Sequence, residues 1–316
     1  MADAAPSPEG QVADAPPGNW VDRHAPAAAR PYLRLSRADR PIGTWLLLIP
    51  CWWGLLLAMA AGQPRWEDVW IGLGCALGAF LMRGAGCTWN DVTDRHIDGS
   101  VARTRSRPIP SGQVTVRGAL AWMCAQALLA FAILLTFDPL AIALGIGSLA
   151  IVCVYPFAKR FTWWPQVFLG LAFNWGALLA WAAHSGSLSA APAVLYAGGI
   201  AWTLFYDTIY AHQDAEDDAL IGVRSTARLF GRSSPIWLAA FAALTVALLA
   251  LAVLLAGLTG APLALALLGA GAMGAHMAVW LARLDTGDAD SCLAAFRAAR
   301  DGGLVAAAGL AAAALL

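Results

Sequence analysis

The sequence predicts an all-α, polytopic membrane protein with nine transmembrane helices. Three features carry that prediction: composition, the spacing of apolar stretches, and a one-sided distribution of basic residues. Of 316 residues, 59% are apolar and 13% charged. A soluble domain carries roughly 25% charge, so a water-exposed surface is hard to build from this chain. The 20 basic and 20 acidic residues cancel, which leaves no electrostatic footprint for nucleic acid. No protein partner is indicated. The six cysteines stand singly in apolar runs without zinc-ligand or redox spacing, so packing is their expected role.

A membrane-crossing helix needs about 20 mainly apolar residues. Nine stretches qualify in chain order: 42–61, 67–89, 119–137, 139–157, 166–183, 193–210, 236–258, 261–282 and 302–316. Residues 1–30 precede them and are rich in Ala and Pro, with Asp3, Glu9, Asp14 and Asp22. They read as a disordered cytoplasmic tail, with neither the basic–apolar–small order of a signal peptide nor the acid-poor composition of a transit peptide. The transmembrane domain is expected over 31–316. The first stretch opens after Arg40-Pro41-Ile42-Gly43, and the second is interrupted by Arg83 and several glycines. Its last turns are expected in protein rather than lipid. The final stretch is short.

Basic residues in short loops mark the cytoplasmic side. With nine spans, 19 of the 20 Lys and Arg fall on the side of the N-terminus, and only Arg65 lies opposite. One span more or fewer would scramble this segregation. The expected location is a bacterial inner (cell) membrane with the N-terminus in the cytoplasm. Arg103, Arg105 and Arg107 are accounted for by this orientation signal, as are the arginines between the last two spans.

Seventeen of the 20 acids share that side, although Asp and Glu contribute little to orientation. They gather in two places. Asp91, Asp94 and Asp98 follow the second stretch at i, i+3, i+7, one helical face. Asp207, Asp214 and Asp218 close the sixth at i, i+7, i+11, again one face, with Asp217 beside them. Stacked like charges destabilise a helix, and near a membrane the penalty grows. A hard divalent cation would neutralise them. Mg2+ is usually held by one or two carboxylates together with substrate phosphates. Two acidic faces on one membrane side therefore suit a diphosphate bridged through metal. Arg40, Arg83, Lys159 and Arg160 are the cations placed to meet such a polyanion. Arg83 lies seven residues before Asn90, two turns inward, where a bare cation would be expensive. Aromatic residues at span ends, Tyr155 and Tyr210 among them, are candidates to stabilise a carbocation.

At these residues the chain resembles the UbiA superfamily of intramembrane prenyltransferases, and most nearly its members acting on 4-hydroxybenzoate. Four stretches carry the resemblance: 35–43 (LSRADRPIG), 83–91 (RGAGCTWND), 103–112 (RTRSRPIPSG) and 206–211 (YDTIYA). The pattern N-D-x-x-D-x-x-x-D is met by Asn90, Asp91, Asp94 and Asp98, and D-x-x-x-A-x-x-D-x-x-D-D by Asp207, Ala211, Asp214, Asp217 and Asp218. Ala215 stands where a basic residue is expected. The resemblance covers about 32–232, and the last three spans match in hydropathy only.

The resemblance implies a nine-helix bundle around a central cavity open to the cytoplasm and the lipid. Mg2+ would be held by Asn90, Asp91, Asp94, Asp98, Asp207, Asp214 and Asp218, with Asp91 and Asp207 essential for catalysis. Arg40, Arg83, Lys159, Arg160, Tyr155 and Asn174 would bind substrate. The implied reaction transfers a polyprenyl group from polyprenyl diphosphate to the carbon ortho to the hydroxyl of 4-hydroxybenzoate, in ubiquinone synthesis. Two alternatives stay open: a sister enzyme with another aromatic acceptor, and a cation-coupled transporter. Against a transporter, the acids cluster at one membrane face and no inverted repeat of broken helices is visible. The orientation is directly measurable. A reporter inserted in the loops after the second, fourth or sixth span should read cytoplasmic, and one in 62–66 or 184–192 external; opposite readings at two sites would overturn the span count.

Overall fold

A computed structural model describes residues 12, 15–100 and 104–316. The described residues form helices joined by turns and loops, with no strand among them, and nine helices of 16 residues or more fall on the nine expected stretches. The short helices α1 (Trp20–His24) and α2 (Arg30–Leu35) lead into α3 (Ile42–Ala61), α4 (Trp66–Ser100), α5 (Val116–Leu134) and α6 (Pro139–Val154). The short α7 (Ala158–Phe161) precedes α8 (Pro165–Ser185) and α9 (Ala190–Ala211). Then come α10 (Ala215–Ile221), α11 (Thr226–Phe230), α12 (Ser234–Leu255), α13 (Gly260–Arg283) and α14 (Ala289–Ala314).

Seven of the long helices are both long and apolar enough to cross a membrane. Their large apolar side chains stand open to the surroundings, as at Leu73, Leu128, Ile236 and Leu268. A continuous apolar exterior of this extent calls for lipid as its solvent. The protein is an integral membrane protein. The other two long helices, α9 and α14, are more polar for different reasons. On α9, Thr203, Tyr206 and Thr208 are buried in protein, where polar groups can be satisfied by neighbours rather than lipid. On α14 the first half carries Asp290, Arg297, Arg300 and Asp301.

Two boundaries differ from those expected. Helix α4 continues beyond residue 89 to Ser100, 35 residues in all and about 52 Å long at 1.5 Å per residue. That exceeds the roughly 30 Å hydrocarbon layer, so the first aspartate row rides on the same rigid rod as the second span. Helix α14 starts at Ala289, well before 302, because the Asp288 carboxylate accepts hydrogen bonds from the backbone N–H groups of Asp290 and Ser291. A polar first half is no obstacle to a helix capped in this way.

The expected tail also differs where it is described; residues 1–11, 13 and 14 lie outside the described residues. Asn19 caps α1 by accepting from the Asp22 N–H. Val21 is fully buried in a small cluster with Ala25 and Ala38, and the Trp20 indole donates to the Ala38 carbonyl at 2.7 Å. One apolar residue and one cap suffice to fix this segment.

Two compact units make up the chain. The first ends its N-terminal part at Thr44 and adds Leu77–Ile133; the second comprises Trp45–Ala76 and Leu134–Leu316. In the first, Leu35, Val92, Val114 and Ala119 form an apolar core flanked by Tyr32 and Ile109. Above it the Ser36 hydroxyl donates to Gln126 at 3.0 Å and accepts from the Trp122 indole at 2.8 Å. In the second unit α9 is the central element, packed by α8, α12 and α14. Trp53 and Trp202 lie in contact there, with ring centroids 4.9 Å apart, and the Trp53 indole donates to the Gly303 carbonyl at 2.9 Å. At the far end of α4, Asp68 is buried and holds the His184 ring at 2.7 Å, tying α4 to the end of α8.

Close helix approach in the second unit depends on glycines, Gly54 among them. A β-carbon at Gly54 would stand 2.1 Å from the Ala177 carbonyl oxygen, a backbone atom that cannot turn aside. At Gly78 a β-carbon would meet nothing within 4 Å. Gly54→Ala should therefore cost about 1–3 kcal/mol of stability through overpacking. Gly78→Ala should be neutral or gain up to about 1 kcal/mol from helix propensity. Thermal melts in one detergent would check this, and equal melting temperatures for the two variants would overturn it.

Candidate active site

The first aspartate row forms as expected on one face of α4. Asp91, Asp94 and Asp98 are all buried, Asp91 completely. Carboxylates cannot be withdrawn from water without counter-charge, and for Asp91 and Asp98 two arginines supply it. The Arg37 Nη2 donates to Asp91 Oδ1 at 2.7 Å. Arg107 Nη1 donates to Asp98 Oδ2 at 3.0 Å and reaches the same Asp91 Oδ1 at 3.5 Å. Asp91 Oδ2 is buried and accepts no hydrogen bond from any described residue.

Local structure explains how the two arginines arrive. Arg37 lies in the turn between α2 and α3 with φ of 55°, the one described non-glycine residue in the left-handed region. Such a backbone is costly for an L-residue and persists where surroundings enforce it. Here the enforcement comes from both sides. Arg34 is tied to Asp22 at 2.7 Å and to Gln113 at 3.3 Å, and Ser36 is held by Gln126 and Trp122. The Arg37 Nη1 itself donates to the Arg34 carbonyl at 3.1 Å. Arg107 comes from the loop after α4, fixed where the Thr104 hydroxyl donates to the Asp98 carbonyl at 2.9 Å.

Arg107, which the orientation signal alone accounts for in the sequence, and Arg37, in the 35–43 stretch, both pair with the acidic row. The clue available in the sequence was the row itself, three carboxylates in need of partners from nearby stretches.

The remaining expected cations are placed as follows. Arg40 forms a fork on Asp39, with Nε at 3.1 Å and Nη2 at 3.2 Å from its two oxygens. The half-buried Arg83 guanidinium packs on Gly43, where a β-carbon would fall 2.6 Å from Nε and Nη2. The 35–43 and 83–91 stretches are thus in direct contact. In the second unit, Tyr155 opens a 3-10 turn, Tyr155–Phe157, that leads into α7 with Lys159 and Arg160. Arg160 stacks over Phe157 at 5.1 Å.

The second acidic motif is not one helical face. Helix α9 carries Asp207 and ends at Ala211; His212–Asp214 form a 3-10 turn, and α10 starts afresh at Ala215. The new helix start places Asp214 and the acids after it at a helix N-terminus, where the dipole favours negative charge. The segment beyond is pinned by neutral bonds: Thr208 to Thr226 at 2.7 Å, and the Thr226 N–H to Gln166 at 3.2 Å. His212 Nε2 lies 3.0 Å from the Ser234 hydroxyl, and burial holds its imidazole below the ordinary range.

Asn174, an expected substrate contact, is fully buried, and its amide nitrogen donates to the Gly170 carbonyl and the Thr203 hydroxyl, both at 2.8 Å. Thr203 continues to the Tyr206 hydroxyl at 3.0 Å. Asn174 thus joins α8 to α9, and its buried Oδ1 accepts no hydrogen bond from the described residues.

Among the described residues, no three His, Cys, Asp or Glu side chains are grouped so as to hold an ion by themselves. The donor set nevertheless fits a hard cation shared with phosphate oxygens. All the ligand atoms on offer are oxygens, and Asp91 Oδ2 is a buried acceptor with capacity to spare.

In a helical membrane protein, a buried, arginine-paired carboxylate row marks a site for charged groups near a lipid boundary. The sequence profile described as the UbiA prenyltransferase family matches residues 47–299, and the chain belongs to that family. It is 51% identical over 212 residues to the mitochondrial 4-hydroxybenzoate polyprenyltransferase of Aedes aegypti, covering 67% of this chain and 48% of that one. Against the protein of the same name from Mus musculus it is 49% identical, covering 73% of this chain and 62% of that one. The chain thus spans about half to three fifths of the length of these relatives. Among solved structures, the apo UbiA homologue from Aeropyrum pernix K1 is 25% identical with a TM-score of 0.65, covering 83% and 96% of the two chains. A UbiA homologue from Archaeoglobus fulgidus, solved with GPP and Mg2+, shares the fold at 22% identity and a TM-score of 0.65, covering 90% and 100%.

Proposed function

We propose that this chain transfers a polyprenyl group from polyprenyl diphosphate to the ring carbon ortho to the hydroxyl of 4-hydroxybenzoate, releasing diphosphate, as a step of ubiquinone biosynthesis. The observation that carries the reading is about 50% identity to relatives named for that acceptor. The buried carboxylate row on α4 supports it chemically.

In this reading Asn90, Asp91, Asp94 and Asp98, together with Asp207, Asp214 and Asp218, hold Mg2+. When bound, Mg2+ supplies positive charge against the diphosphate oxygens and eases departure of the leaving group. The allylic C–O bond breaks with its electron pair going to diphosphate. The electron-rich ring carbon then bonds to the allylic carbon, and a ring proton leaves to restore aromaticity. Arg40, Lys159 and Arg160 serve the diphosphate, which charge-assisted hydrogen bonds from cations suit. Tyr155 binds alongside them, and Arg83 holds the carboxylate of the aromatic acid. Gly43 underlies that role, since it leaves room for the guanidinium. Asn174 also binds substrate; its amide nitrogen is held by Gly170 and Thr203, and its buried Oδ1 accepts no hydrogen bond from the described residues.

We place all nine long helices across the membrane with the basic loops on the cytoplasmic side, supported by the 19-to-1 distribution of Lys and Arg. For the membrane itself, a bacterial inner membrane is our reading from the sequence alone; the relatives above are named as mitochondrial.

Asp91→Asn and Asp207→Asn should each abolish prenyl transfer in protein that still inserts and purifies. Activity is read as Mg2+-dependent diphosphate release that requires the aromatic acid. Near-normal turnover in both variants at saturating Mg2+ would overturn the assignment.

The two anions should also separate by residue. Arg83→Ala should raise KM for 4-hydroxybenzoate far more than for the prenyl diphosphate, and Lys159→Ala should do the reverse. Losing one charge-assisted hydrogen bond costs about 1.5–3 kcal/mol, so shifts of about tenfold or more are expected. Equal effects on both substrates in both variants would sink this division of roles.

A further inference from the structure

The first acidic row already contains positive charge of its own. Arg37 and Arg107 both donate to Asp91 Oδ1, and Arg107 also donates to Asp98. Their contacts leave Asp91 Oδ2 buried and without a hydrogen bond from the described residues. This division of one carboxylate is specific: one oxygen carries two guanidinium groups and the other none. Arg37 is delivered to its position by a left-handed backbone that the turn at 36–38 is braced to maintain. Such bracing is more than topology-setting charge requires, since an orientation signal needs only to lie near a span end.

We propose that Arg37 and Arg107 are the resident counter-ions of the first aspartate row, occupying Asp91 and Asp98 until a divalent cation arrives together with diphosphate. The inference rests on the reading of Asp91 as a cation ligand. Its physical content is competition. A guanidinium 2.7 Å from Asp91 repels a divalent cation seeking the same carboxylate, so binding of the cation alone is weakened. Diphosphate reverses the balance, because it brings oxygens that attract the cation and both arginines at once. Arg37 and Arg107 are positioning residues here: they set when the row is available and hold Asp91 in place, with Oδ2 as the open ligand atom.

The probe is Mn2+, titrated into the full chain in detergent and read from the electron paramagnetic resonance signal of the free ion, with and without inorganic diphosphate. The wild-type protein should bind Mn2+ weakly alone and more tightly with diphosphate. Arg37→Asn removes the charge and keeps a residue type that tolerates the left-handed region. It should bind Mn2+ alone about tenfold tighter, within the usual range of coupling between interacting sites, and gain correspondingly less from diphosphate. Arg37→Lys, which keeps the charge, should stay near wild type. Prenyl transfer by Arg37→Asn should nevertheless fall, a combination that loss of structure alone does not produce. Arg107→Gln removes the second counter-ion without touching the strained turn, so it gives the same reading if Arg37→Asn does not fold. Unchanged or weaker Mn2+ binding in folded Arg37→Asn or Arg107→Gln overturns the proposal. Wild-type Mn2+ binding by Asp91→Asn would instead overturn the cation-ligand reading on which it rests.

Discussion

The constraint on which the first unit depends is the burial of Asp91, Asp94 and Asp98 on one face of α4. A buried carboxylate without a partner costs several kcal/mol, so the chain around this row must deliver cations accurately. That requirement accounts for features with no other common cause. The segment before α3 takes a left-handed turn at Arg37, and its neighbours Arg34 and Ser36 are tied to residues far away in sequence. The loop after α4 returns to place Arg107 over the same row, anchored by Thr104 on the last turn of the helix. Removing the acids would leave this bracing without a purpose.

The second unit solves a related problem with neutral groups. Helix α9 is surrounded by α8, α12 and α14, and its polar residues are satisfied by hydroxyl and amide partners rather than ions. Asn174, Thr203 and Tyr206 form one chain; Thr208, Thr226 and Gln166 form another. Neutral bonds in a low dielectric are firm without attracting counter-ions. They hold still the helix that bears Asp207. The aromatic rings of Trp202, Tyr206 and Phe296 pack edge to face nearby, adding rigidity from the apolar side.

The sequence was most legible where one physical requirement dominates. Lipid demands uninterrupted apolar length, so the stretch 42–61 matches α3 residue for residue, and the other long helices lie on their expected stretches. The i, i+3, i+7 acids were legible because a regular helix continues through them. The 207–218 acids were not, because the helix gives way to a 3-10 turn after Ala211 and a new helix starts at Ala215, which apolar and acidic spacing does not signal. The start of α14 was hidden for a similar reason: the Asp288 cap rather than hydropathy sets it. Arg37 and Arg107 were hidden more deeply. Loop arginines near a membrane all serve the same orientation count, and only the fold separates those that also close a buried ion pair.

On the proposed function, resident arginines would have a consequence for the reaction cycle as well as for folding. A cation held by bare carboxylates in a low-dielectric site would be bound tightly with or without substrate, and diphosphate would leave against that full attraction. With Arg37 and Arg107 able to pair with Asp91 and Asp98, that departure would be offset by re-formation of the internal pairs. Binding energy that would otherwise hold the ground state would thereby be reduced, which favours turnover over tight binding. Guanidinium is suited to this exchange because its several donors can be shared: Arg37 keeps Nη1 on the Arg34 carbonyl while Nη2 meets Asp91. An ammonium on a flexible stem would carry the charge but not that fixed division of donors. The left-handed turn at Arg37 is then the structural cost of holding a counter-ion close enough to neutralise Asp91 on one oxygen while leaving the other oxygen for a ligand.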